Sequence, residues 1–107
     1  MKLYRLTPFG EEALADWVSD TCVRPIEIRD EMLVRLFFSD AVEVERRVEL
    51  ARNMAARHRA QANGLHKQGR PTRPEHPMHE EVRRCGIELH EFLSGWYERL
   101  AAGLEDQ

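Results

Sequence analysis

At 107 residues the chain has room for one domain, and with 42% hydrophobic and 33% charged residues it is too apolar for an intrinsically disordered segment. A net charge of −3 argues against a surface that holds DNA by charge alone, because phosphate neutralisation supplies most non-specific affinity. No run of about 20 apolar residues and no signal-peptide pattern occur, and Cys22 and Cys85 are too few for a disulfide framework, so the composition predicts a reduced, cytoplasmic protein with no membrane segment.

Residues 2–6, Lys2-Leu3-Tyr4-Arg5-Leu6, alternate as a short strand does, and an isolated strand needs a partner. Thr7-Pro8 opens the first helix: Thr7 suits the cap, Pro8 the first turn, and Glu11 and Glu12 the positive end of the helix dipole. Leu14, Trp17 and Val18 make its expected buried face, and it ends near Ser19. A second helix is predicted from about Ile28 to Ser39. Its apolar stripe is Ile28, Met32, Leu33, Leu36 and Phe37; Phe38 lies off that stripe and suggests a second partner surface.

The third helix, Val44 to Lys67, carries Val44, Val48, Ala51, Ala55, His58, Ala62 and Leu65 at alternating steps of four and three, a heptad pattern. It would be about 36 Å long, against a radius of gyration near 13 Å for a compact domain of this size. Alanines allow close helix approach but bury little area each. The segment from Gly69 to Pro77 holds three prolines and a glycine and reads as a linker. The fourth helix, from about Met78 to Leu104, repeats the pattern at Met78, Val82, Cys85, Leu89, Phe92, Trp96 and Leu100. Ile87, Leu93 and Tyr97 form an additional apolar flank, which predicts a second chain. The fold class is therefore all-α: about four helices, the two long C-terminal ones antiparallel, joined in a dimeric bundle.

Chemistry-bearing residues form no catalytic signature. His76 and His79 are three apart with Pro77 between them, and nothing has the dense ligand spacing of a zinc site. His58 and His90 fall on the two long helices and read as solvated or packing groups. Cys85 sits between Val82 and Leu89 and reads as a small buried hydrophobe, although Arg83 and Arg84 nearby would favour a thiolate. No glycine-rich phosphate loop and no nucleophile elbow is present. No enzyme, metal or cofactor is expected. Trp17, Met54, Phe92, Trp96 and Tyr97 could line a pocket for a flat aromatic or hydrophobic effector, with core or dimer contacts as the plainer reading.

Tyr4-Arg5-Leu6-Thr7-Pro8-Phe9-Gly10, followed by Ala13-Leu14 and Trp17, resembles the end of the wing and the next helix in PadR-like transcriptional regulators. Arg29-Asp30-Glu31-Met32-Leu33-Val34-Arg35-Leu36-Phe37-Phe38-Ser39-Asp40 is similar to the RDE-x-LLRLFFAD segment that opens that family's C-terminal domain, the virulence-activator α C-terminal type. Gly86 and Trp96 match its closing segment. Glu43-Val44 departs from the Asp-Pro often found at that place in the family.

The resemblance implies residues 1–7 as a remnant of the last wing strand and residues 8–107 as a helical dimerisation and effector domain. The partner it implies is a second copy, with DNA read only through an N-terminal winged helix-turn-helix that this sequence does not include. The expected dimer contacts are Ala51, Ala55, Leu65, Leu89, Leu93, Trp96 and Leu100, with the second helix packing the first onto the long pair. The competing reading is a stand-alone truncated ligand sensor, or a dominant-negative partner of a full-length regulator.

Overall fold

The computed structural model describes residues 5–68 and 75–106. Four helices occur among them and no strand: α1 (Pro8–Ser19), α2 (Glu31–Phe37), α3 (Val44–Lys67) and α4 (Pro77–Glu105), with a 3-10 turn at Ser39–Ala41. Three of the five residues of the expected N-terminal strand, Lys2, Leu3 and Tyr4, and most of the Gly69–Pro77 linker lie outside the described residues, apart from its closing Glu75, His76 and Pro77. Contacts divide the chain into two compact units, Met1–Asp30 and Glu31–Gln107.

In the first unit α1 begins where the sequence predicts. Thr7 Oγ1 accepts a 3.0 Å hydrogen bond from the Gly10 amide, and Pro8 takes the first helical position, where a missing N–H costs nothing. The helix ends at Ser19, and the Asp20 amide donates to the Trp17 carbonyl. Its expected buried face is corrected: α1 buries no residue, and Trp17 is 76% exposed. An amphipathic helix of twelve residues has too few neighbours in so short a unit to cover an indole ring.

In the second unit α2 is shorter than predicted. It starts at Glu31, after Asp30, a residue type whose side chain competes for nearby backbone groups and so favours the position before a helix. Ile28 thus lies before the helix, and Phe37 is exposed, while Met32, Leu33 and Leu36 are half-buried. Ser39 Oγ donates to the Leu36 carbonyl at 2.7 Å, and the chain tightens into the 3-10 turn.

The core of the unit lies between α3 and α4. The helices run antiparallel: Arg52 meets Glu105, Ala55 meets Ser94, His58 meets His90 and Leu65 meets Arg83, partners falling along α4 as they rise along α3. Ala51, Ala55, Tyr97 and Ala101 are fully or nearly fully buried, with Met32, Leu36, Val48, Met54, Trp96 and Leu100 packed around them. The α3 seam is the one its heptad spacing predicts, with Ala51, Ala55, His58 and Ala62 all buried. Alanines at three of the four buried turns of α3, with Ser94 and Ala101 on α4, let the two backbones approach closely.

Polar links tie the ends. Arg83 Nη2, from α4, donates to the Leu65 carbonyl at 2.6 Å, which the last turn of α3 leaves open, and to the His66 carbonyl at 3.3 Å, which the Gln68 amide also meets. Near the other end of the pair Arg52 bonds Glu105 at 2.6 Å.

Candidate dimerisation surface

Helix α4 carries two stripes, each repeating every seven residues. The first is Arg83, Ile87, His90, Ser94, Tyr97 and Ala101. It faces α3, with Ile87, Ser94, Tyr97 and Ala101 buried. The second is Val82, Leu89, Leu93, Trp96 and Leu100. Apart from Ile87, which follows Gly86, each member of the first stripe is one residue beyond a member of the second. At 3.6 residues per turn the second stripe is therefore displaced by about 100° around the helix.

This reverses part of the sequence reading. Of the long series, Met78, Val82, Cys85, Leu89 and Phe92 face outward, while Trp96 and Leu100 are half-buried against the core. Ile87 and Tyr97, expected on an extra flank, are the residues that meet α3. The reason lies in α3: its seam of alanines and His58 is met by the small Ser94 and Ala101 interleaved with the larger Ile87 and Tyr97, a fit that an unbroken row of leucine-sized side chains would not give. Cys85, expected to be buried, is exposed on that outward face, as Cys22 is in the first unit.

The outward face is apolar and open. Val82 is 72% exposed, Leu89 54% and Phe92 60%, and Met78 is exposed beyond them at the start of the helix. Leu93, Trp96 and Leu100 are half-buried at its inner edge, where Trp96 sets its ring edge-on against Tyr97 at 5.1 Å. Apolar side chains at consecutive turns of one helix make a continuous strip of the kind that monomeric proteins rarely leave in water. On α2, Val34 and Phe37 are exposed, and Phe38 just beyond it stands edge-on to Phe37 at 5.2 Å.

Of the residues expected at a dimer contact, Ala51 and Ala55 are already covered by α4 of their own chain, and Leu65 is half-buried beside Gly86, where an added methyl would meet its Cδ1 at 3.6 Å. Leu89, Leu93, Trp96 and Leu100 share the outward strip. Of the residues expected to line an effector pocket, Tyr97 is core and Met54 and Trp96 pack on that core, while Phe92 stands on the outward strip. Trp17 belongs to the first unit, where with Val18, Cys22, Val23 and Arg24 it borders a shallow open groove.

Among the described residues no group of three or more His, Cys, Asp or Glu side chains is placed to hold a metal ion. His76 and His79 stack on each other at 4.9 Å. His58 and His90 meet across the seam, Nδ1 to Nδ1, at 2.9 Å. Sequence spacing placed each on a long helix but could not pair them, since the offset between antiparallel helices is not written in either one. Arg83 and Ser94 were missed for the same reason: both are polar, and only their α3 partners make them seam residues.

The family model of the virulence activator alpha C-terminal domain matches residues 28–105. The chain belongs to that family. The virulence activator alpha C-terminal match takes in α2, the 3-10 turn, α3 and α4, and so covers almost all of the second unit; it marks that region as the C-terminal part of a transcription regulator. Comparison with curated proteins and with solved structures found no match. No helix among the described residues is long and apolar enough to cross a membrane.

Proposed function

We propose that this chain is the dimerisation part of a PadR-like transcription regulator, pairing with a second copy of itself through the outward strip of α4. The observation that carries the reading is the row Val82, Leu89 and Phe92, exposed along one face of a helix whose inner edge holds Trp96 and Leu100. Burying such a strip is worth about 25 cal/mol per Å² of apolar surface removed from water. The α3–α4 contact by itself is built largely from alanines, which contribute little area. A partner helix laid along the strip would supply the bulky side chains that α3 lacks.

In this reading the domain is a binding part and catalyses nothing. It sets two DNA-reading winged helix-turn-helix heads at a fixed separation, with half-sites about 34–36 Å apart or a multiple of that distance. The net charge of −3 fits a domain that leaves phosphate contact to another part of the regulator. Sedimentation equilibrium at tens of micromolar tests it. Twice the chain mass is the expected result, and a monomer at that concentration overturns the reading.

A further inference from the structure

We infer that the His58–His90 pair makes the α3–α4 hairpin sensitive to mild acid, holding it together while the two imidazoles carry at most one extra proton between them and loosening it when each carries its own. The two Nδ1 atoms lie 2.9 Å apart. At that distance one nitrogen donates and the other must offer a lone pair. A pair of neutral rings satisfies this with opposite tautomers, and a singly protonated pair satisfies it with the cation as donor. With both rings protonated, two N–H groups and two positive charges face each other and the bond is lost.

The setting makes that loss count. His58 is buried on the α3 seam, between turns occupied by Ala55 and Ala62, and its ring lies nearly parallel to Tyr97 at 5.7 Å. Where side chains are this small, cross-links such as His58–His90 and Ser94–Ala55 hold a large share of the contact. The charged groups beside the pair come from α3 and α4. From α3, Arg59 is tied to Glu98 of α4 at 3.0 Å, and Arg57 is exposed on the other side of His58 in the chain. From α4, Glu91 follows His90 and is exposed. From α2, the apolar Met32 and Leu36 reach this core, while Glu31 and Arg35 pair with each other at 3.1 Å in solvent.

Imidazoles change charge between about pH 5 and 8. In the unfolded chain both rings take up protons independently, whereas the folded pair keeps its bond with only one. Below neutrality the unfolded state therefore binds more protons, so stability is full at the alkaline end of that window and falls as the pH drops.

The test is urea unfolding of the whole chain at one fixed protein concentration, between about pH 7.5 and 5.5, for wild type and for His90→Asn. The asparagine places an amide at the Nδ1 position, which can accept from a charged His58 or donate to a neutral one. The wild-type folding constant is expected to fall more steeply than that of His90→Asn, by up to about tenfold per pH unit for one excess proton. Parallel pH dependences in the two proteins would overturn the inference. Should the variant not fold, an imidazole NMR titration of the wild type decides: the pair is expected to take one proton in total for as long as the chain stays folded. Two protons on the pair with the α3–α4 contact unchanged would overturn it equally.

Discussion

Ser94 Oγ donates a 2.9 Å hydrogen bond to the Ala55 carbonyl, reaching from the inward face of α4 to the backbone of α3. An intrahelical carbonyl already accepts from its own helix, and this second bond forms because a small residue at each position brings the backbones together. Replacing Ser94 by alanine keeps the close approach and removes the bond, for an expected loss of about 1 kcal/mol. Replacing it by leucine forces the helices apart, with an expected cost of about 1–3 kcal/mol from overpacking. Urea unfolding at fixed protein concentration measures both. A leucine variant as stable as wild type would show that the seam is not close-packed here.

Tyr97 is the one large side chain fully buried in the contact, stacked on His58 and met edge-on by Trp96. Removing a buried aromatic ring leaves a cavity that rigid helices fill poorly. Tyr97→Ala is expected to cost about 3–5 kcal/mol, enough to lose the hairpin in a domain whose core is mostly alanine. Far-UV circular dichroism through a thermal ramp reads the loss directly.

Arg83 lends its guanidinium to the end of α3 while its Nη1 bonds Glu80 at 2.8 Å, and its side chain is only 15% exposed. Arg83→Met keeps the aliphatic stem and removes every donor. The Leu65 carbonyl then loses its cap, an expected cost of about 1.5–3 kcal/mol for a bond from a charged donor. Amide hydrogen exchange is expected to quicken in the last turn of α3 and to stay slow near Ala51.

Leu89 and Phe92 point away from α3, so charge placed there should spare the hairpin and act only between chains. Leu89→Arg combined with Phe92→Arg is expected to keep the wild-type helical content. In sedimentation the same variant is expected at the mass of a single chain. A doubly substituted protein that still sediments at twice the chain mass would move the self-association surface elsewhere.

The bounds of α3, its inward seam and the Thr7 cap were legible in the sequence because each depends on neighbours no more than a few residues away. A heptad of apolar or small residues from Val44 to Leu65, His58 among them, marks one helix face wherever that face points, and a threonine before Pro8 finds the Gly10 amide within one turn. The all-helical class and the length of α4 followed in the same way. What periodicity could not decide was which of two seven-residue stripes on α4 turns inward. Hydrophobicity favours Val82, Leu89, Phe92 and Trp96, yet the tertiary structure seats Ile87, His90, Ser94 and Tyr97 against α3. Packing selects the stripe that fits an alanine seam at close range and whose polar groups find partners there: Ser94 at the Ala55 carbonyl, Arg83 at Leu65, His90 at His58. Those matches exist only once two helices are laid side by side at one offset, and the same choice leaves the more apolar stripe of α4 facing outward.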